Sequence, residues 1–133
     1  MTVLLDTHVW IWWLLGSDQL PARERQELDR LASRGALRLA AVSLWEAQLL
    51  HAKRRLTLSR PFDTWIRDAA AADVIQVVPL DVDVVIALDA LPASFHGDPA
   101  DRLIVSTSRA HKLALATHDA AIRKSHATTL WRP

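Results

Sequence analysis

The sequence predicts an α/β sandwich in which a small, mainly parallel central sheet is flanked by helices. Three observations carry that expectation. Short runs rich in Val, Leu and Ala alternate with segments of helical period along the chain. Glycine and proline fall at the joins: Gly16, Pro21, Gly35, Pro61, Pro79 and Pro99. The helix-like segments outrun the strand-like ones, so the sheet is expected to be small.

Taken in order, Val3 to Leu5 reads as a first strand, ending at Asp6. Val9 to Leu15 is an apolar helix with Trp10, Trp13 and Leu14 along one face, closed by Gly16. Pro21 opens a helix that runs through Leu28 and Leu31 and stops near Gly35. Leu37 to Val42 is a strand, and Ser43 starts a helix carrying Leu44, Ala47, Leu50 and His51. That helix ends in the basic cluster Lys53, Arg54 and Arg55. Pro61 starts another, with Phe62, Trp65, Ile66 and Ala69 on one side. Val74 to Val78 is a buried-strand candidate stopped by Pro79, Asp81 to Leu91 is helical, and Pro92 to Gly97 is a loop. Asp98-Pro99 opens a helix through Ile104 and Ser108, Leu113 to Thr117 is a strand, and Asp119 to Lys124 forms a helical turn or two. Thr128 to Trp131 completes the chain as a short strand.

Composition narrows the possible functions. The 133 residues, 50% hydrophobic and 23% charged, suit one globular domain spanning 1–133 and exclude disorder. Sixteen Lys and Arg against fifteen Asp and Glu leave a formal net charge of +1, which excludes nucleic-acid binding by bulk charge alone. The chain has no cysteine, so disulfides, thiolate zinc sites and thiol nucleophiles are excluded together. No apolar run approaches the ~18 residues of a membrane span. The apolar start lacks a signal peptide's basic flank and is interrupted by Asp6 and His8. A soluble, cytoplasmic protein is expected.

The informative residues are carboxylates, by position rather than number. Asp6 and Asp119 each follow a strand. Glu46 lies in the first turn after the strand ending at Val42, and Asp98 and Asp101 lie in the first turn of a late helix. Strand C-termini and the helix N-termini that follow them share the ligand-binding edge of an open parallel sheet. Acids from distant segments can therefore converge there. Converging carboxylates require a cation, and an all-oxygen set suits a hard divalent ion, Mg²⁺ or Mn²⁺. Such an ion activates water and stabilises charge on a phosphoryl oxygen, so phosphodiester hydrolysis is the reaction this pattern suits best. Local readings stand beside the functional one. Ser43-Leu-Trp-Glu46 is a capping box, Asp98 is an N-cap before a proline, and Asp101 favours a helix dipole. Asp6 has no cap signature as clear.

These residues carry a resemblance. Leu4-Leu-Asp6-Thr-His-Val-Trp10 resembles the opening of PIN-domain ribonucleases, and Val42-Ser-Leu-Trp-Glu46 their second acidic position. His96-Gly-Asp98-Pro-Ala-Asp101-Arg-Leu-Ile104 is similar to the signature of VapC-type toxins of bacterial toxin–antitoxin pairs. Leu115-Ala-Thr117-His-Asp119 is similar to their last motif. The four occur in the family's order and span nearly the whole chain. The resemblance implies a PIN-like three-layer sandwich with Mg²⁺- or Mn²⁺-dependent endoribonuclease activity, usually a homodimer held inactive by a cognate antitoxin. Asp6, Glu46, Asp101 and Asp119 match the acidic quartet, with Asp98 an additional acid. Asp6, Asp101 and Asp119 are then the expected metal ligands, and Glu46 completes the site or orients water.

Several other features take a place in this reading. Lys53, Arg54, Arg55 and Arg102 can hold RNA phosphates beside the acids, or the first three can simply cap a helix C-terminus. None of the six histidines has zinc-site spacing, and His8 lies close enough in sequence to approach the site. The helix with Trp10, Trp12 and Trp13 is apolar on nearly all sides. It is either core or a face for a second copy or an antitoxin. Two rival functions are weighed: a non-catalytic protein-binding module, and a metal-dependent phosphatase, which the missing second aspartate after Asp6 argues against.

Overall fold

The computed structural model describes residues 1–95 and 97–133; His96, which begins the quoted Asp98 motif, lies outside them. The described residues form, in order, β1 (Val3–Leu5), α1 (Thr7–Leu15), α2 (Ala22–Ser33), β2 (Leu37–Ala40), α3 (Ala41–Ala52) and α4 (Phe62–Ala69). They continue through β3 (Gln76–Val78), α5 (Val82–Asp89), α6 (Pro99–His111), β4 (Ala114–Ala116) and α7 (Ala120–Ser125). The strands form one sheet of order β3-β2-β1-β4, parallel throughout, with Leu4 opposite Arg38 on one side and Leu115 on the other. This is the expected α/β sandwich around a small parallel sheet.

Strand alternation divides the core between the two faces of the sheet. Val3, Leu5, Leu37, Leu39 and Ala116 point to one side and pack with Trp10, Leu28, Leu31 and Trp65 from α1, α2 and α4. Leu4, Ala40 and Leu115 point to the other side, against Ile104, Val105 and Ile122 from α6 and α7. Chain order runs outward from β1 through β2 to β3, then returns to place β4 on β1's free side. The reversal leaves a crevice at the carboxyl ends of β1 and β4, where an open α/β sheet binds its ligand.

Most of the expected elements are present, with shifted boundaries. The strand expected over 37–42 ends at Ala40, and α3 begins at Ala41. Ser43 is therefore inside the helix, fully buried, and the capping-box reading of Ser43 and Glu46 fails. Local capping rules take no account of a partner elsewhere in the chain, and Ser43 finds one in Thr7. The strand over 74–78 narrows to Gln76–Val78, and the helix opened by Asp98 continues to His111. The strand expected over 128–131 is a single bridge, Leu115 to Leu130.

The tryptophan-rich helix resolves as core. Val9, Trp10 and Ile11 are buried, and Trp12, Trp13 and Leu14 pack against the same cluster. Trp10 donates to the Ala69 carbonyl at 3.2 Å and lies 5.9 Å from the Trp65 ring, while Trp13 donates to Asp29 at 2.8 Å. The chain's own helices cover the Val9, Trp10 and Ile11 part of α1, in keeping with the core reading, while His8 and Leu15 near its two ends remain exposed. Besides Met1 and Leu15, the last residue of α1, the exposed large apolar residues lie around α3 and α5: Trp45, Leu80, Val82, Val85 and Ile86. No helix among the described residues is long and apolar enough to cross a membrane.

Candidate active site

Asp6, Asp98, Asp101 and Asp119 sit where a strand or loop hands over to a helix; Glu46, expected in a first turn, lies in the second turn of α3 because that helix begins at Ala41. Asp6 ends β1 and is the N-cap of α1; its backbone N–H donates to the Ala116 carbonyl at 2.9 Å. Asp98 caps α6, accepting from the Asp101 N–H at 2.8 Å, with Pro99 in the first turn as expected. Asp119 caps α7, accepting from the Ile122 N–H at 2.9 Å. These three are helix caps whose charges also act on Asp101, so the local reading does not exclude the functional one. Asp6 is a cap that the sequence reading did not identify.

Three hydroxyls hold the acids in place: Thr7 and Thr117, to which the sequence assigned no role, and Ser43, expected there only as a helix cap. Both Asp6 oxygens are engaged, one by the Thr7 N–H at 2.8 Å and the other by the Thr117 hydroxyl at 2.7 Å. The Thr117 oxygen also accepts from the Asp119 N–H at 3.0 Å, so one hydroxyl ties the β1 acid to the β4 acid. On the other side, the Thr7 hydroxyl donates to Glu46. Having a single proton to give, Thr7 must accept from Ser43, whose hydroxyl lies 2.8 Å away. Ser43, Thr7 and Glu46 thus form a directed chain. A hydroxyl residue shortly after each strand's last apolar position was the available signal, visible at Thr7 and Thr117.

Gly97 is a further residue the sequence reading passed over. A Cβ there would stand 2.6 Å from the Phe95 ring and 2.9 Å from the Asp101 Cβ, so only glycine lets the loop pass this close to Asp101.

The acids share one electrostatic field. Asp101 is half-buried, and its carboxyl is pushed up to about 7, first by loss of solvent and then by the charges of Asp98, Asp119, Asp6 and Glu46. Burial likewise raises Glu46, with the Thr7 hydrogen bond opposing and the Asp6 and Asp98 charges adding to the rise. Burial raises Asp6 against the stabilising bond from Thr117. Elements distant in sequence therefore bring Asp6, Glu46, Asp98 and Asp119 close enough for their charges to act on Asp101. Among the described residues no three His, Asp or Glu side chains are grouped closely enough, as they stand, to hold a metal ion. The all-oxygen donor set, in which Asp6, Glu46 and Asp101 carry raised pKa values, nevertheless fits a hard divalent cation, which would neutralise like charges that hydrogen bonds alone leave uncompensated.

Three of the four basic residues stand apart from this cluster. Lys53, Arg54 and Arg55 are exposed at the far end of α3, about 10 Å beyond Glu46 along the helix axis. The Arg102 guanidinium donates to the Phe95 carbonyl at 3.2 Å and so braces the loop before Asp98.

Comparison with known proteins places this geometry in context. The PIN domain family model matches residues 3–125. Ribonuclease VapC22 of Mycobacterium tuberculosis (strain ATCC 25618 / H37Rv) is 35% identical over 122 residues, covering 92% of this chain and 90% of that protein. VapBC2 from Rickettsia felis, solved bound to a DNA fragment from its promoter, superposes with a TM-score of 0.73 at 14% identity, over 98% of each chain. FitAcB from Neisseria gonorrhoeae superposes with a TM-score of 0.68 at 22% identity, over 98% of this chain and 97% of that one. The two solved structures speak to the fold.

Proposed function

Because the chain belongs to the PIN-domain family, we propose that it is a metal-dependent endoribonuclease of the VapC type, the toxin of a toxin–antitoxin pair. The observation that carries this reading is the convergence of Asp6, Glu46, Asp98, Asp101 and Asp119 at the carboxyl edge of the sheet, with Asp101 pushed up to about 7. Its likeness to Ribonuclease VapC22 supports RNA as the substrate.

Asp6, Asp101 and Asp119 would hold Mg²⁺ or Mn²⁺, which when bound supplies Lewis acidity toward a phosphoryl oxygen and lowers the pKa of water. The chain's own groups do the remaining work. Thr117 fixes the Asp6 carboxylate through one oxygen and the Asp119 backbone through its N–H, which sets the spacing of two ligands. Glu46, half-buried and raised in pKa, accepts a proton from the attacking water more readily than an ordinary surface carboxylate. The Ser43–Thr7 chain aims its carboxyl into the site. Asp98 caps α6 and adds its charge to the field at Asp101. Lys53, Arg54 and Arg55 give the RNA backbone a cationic approach along α3.

The whole chain, 1–133, acts as one PIN-like domain in the cytoplasm, with a cognate antitoxin as its protein partner. A second copy docks on the exposed apolar surface at α3 and α5, where Val82 is 74% and Ile86 62% exposed. The same surface holds a cleft of about 270 Å³ lined by Val42, Trp45, Leu80 and Leu103.

The test is cleavage of transfer and ribosomal RNA by antitoxin-free protein with Mg²⁺, with Mn²⁺ and with EDTA, alongside Asp6→Asn. Cleavage should need the ion and vanish in the variant. Cleavage that survives both EDTA and Asp6→Asn would refute the metal-site mechanism, and a metal-loaded parent that cuts no RNA would favour a protein-binding module.

A further inference from the structure

The acidic site creates a difficulty for its own substrate. Five carboxylates face a phosphodiester backbone, Arg102 gives one of its N–H donors to the Phe95 carbonyl, and the α3 cations stand about 10 Å from Glu46 along the helix axis. Bound metal offsets some of this charge at the scissile phosphate, but the neighbouring nucleotides need another hold. Unpaired bases can supply it by stacking on aromatic side chains, an interaction that does not depend on the sign of the local field.

A row of rings runs along the flank of the site. His8 lies two residues after Asp6, on the first turn of α1, and is exposed. One turn further on, the Trp12 ring is 6.0 Å from His8 and tilted by 50°. The His118 ring is 5.7 Å from Trp12 on the other side, tilted by 53°, and His118 directly precedes Asp119. The row therefore begins beside one expected metal ligand and ends beside another. Its inner end is anchored, since His118 Nε2 lies 2.7 Å from a Glu24 carboxylate oxygen. The rings meet at a tilt rather than in a parallel stack, Trp12 and His118 are half-buried, and His8 at the outer end is open to solvent. Beyond His118 the surface continues into a cleft of about 120 Å³ whose lining includes Arg123, Trp131 and Arg132. Two guanidinium groups there complement a phosphate one step along from a base stacked on the row.

We propose that His8, Trp12 and His118 form a stacking platform for a nucleobase of single-stranded RNA flanking the scissile phosphate, with Arg123 and Arg132 taking the adjoining phosphate. The proposal rests on the ribonuclease reading and specifies its substrate as unpaired RNA. Packing of α1 against the core explains Trp10 and Trp13, but it does not require an exposed ring at position 8.

The test measures equilibrium binding of fluorescein-labelled octaadenylate and octauridylate in Mg²⁺. The full-length chain carries Asp101→Asn to stop turnover. His8→Ala in that background should weaken binding roughly tenfold, the usual loss for one stacked base, and His8→Phe should restore it because the ring face is what matters. An abasic oligomer of the same length should bind equally with and without the His8→Ala substitution, since it has no base to stack. Because His8 is exposed, the variant should melt with its parent, which a thermal scan checks. Unchanged affinity in His8→Ala, or an equal loss in His8→Phe, would overturn the platform. If the unmutated chain cleaves RNA with metal and His8→Ala leaves affinity unaltered, the platform falls alone. A chain that neither binds nor cleaves RNA overturns the ribonuclease reading and the platform with it.

Discussion

Replacing Asp101 by Asn tests whether the acids form one strained cluster or a set of independent helix caps. The carboxyl rises from 3.8 to about 7 in the folded protein. Taken in full, that shift corresponds to about 4 kcal/mol of destabilisation by the charged form. Half of the group faces solvent, so screening reduces the figure to about 1–2 kcal/mol. Loss of a favourable helix-dipole interaction takes back about 0.3–1 kcal/mol. The net gain is about 1 kcal/mol, and Asp101→Asn should raise the melting temperature of metal-free protein by about 3–5 °C at pH 8. The sign follows from linkage. Between 3.8 and about 7 the folded state binds the proton more tightly than the unfolded chain, so stability falls as pH rises through that window. The penalty is complete above about 7 and absent below 3.8, so the variant's advantage should be largest at pH 8 and fade toward pH 4. Added Mg²⁺ should stabilise the parent by ligand linkage and the variant much less. Calorimetric melts of both proteins, in EDTA and in Mg²⁺ across this pH range, make the measurement. A variant that melts below its parent at pH 8 in EDTA, or whose advantage is the same at both pH extremes, would refute the shared-field argument.

Three further perturbations probe other parts of the molecule. Gly97→Ala should cost about 1–3 kcal/mol in urea denaturation, because the added methyl overlaps the Phe95 ring and the Asp101 Cβ; a neutral result would mean that the loop yields freely. Combining Val82→Glu with Ile86→Glu should convert a dimer to a monomer in sedimentation velocity without lowering the melting temperature, since both side chains are exposed. A parent that is already monomeric at micromolar concentration would remove that surface from consideration. Replacing Lys53, Arg54 and Arg55 with Ala should weaken RNA binding evenly across sequences and flatten its salt dependence, whereas an unchanged slope in a salt titration would return the cluster to solvent.

The alternation of elements was legible because it is written locally. Val3 to Leu5, the proline before α2 and the Asp98-Pro99 start of α6 each announce themselves within a few residues. The positions of Asp6, Asp98, Asp101 and Asp119 were legible for the same reason, since a strand end or a helix first turn is a local address and a parallel sheet puts such addresses on one edge. Ser43 and Glu46 show where local reading stops. Their spacing satisfies a capping box, yet the helix starts earlier and both side chains turn to Thr7. A short hydroxyl bonds whichever partner packing brings near, and that partner lay 36 residues away in the chain.

By itself, the sequence determined that this chain builds a small parallel sheet and sets its acids along one edge, because strand and helix periodicity and helix-start chemistry act between near neighbours. Only the tertiary structure decided that Thr117 ties Asp6 to Asp119, that Gly97 makes room for Asp101, and that Val9, Trp10 and Ile11 of α1 are core while Val82, Val85 and Ile86 of α5 are exposed. Those outcomes depend on which surfaces bury one another, and burial is settled between segments far apart in the chain, where no local pattern records the partner.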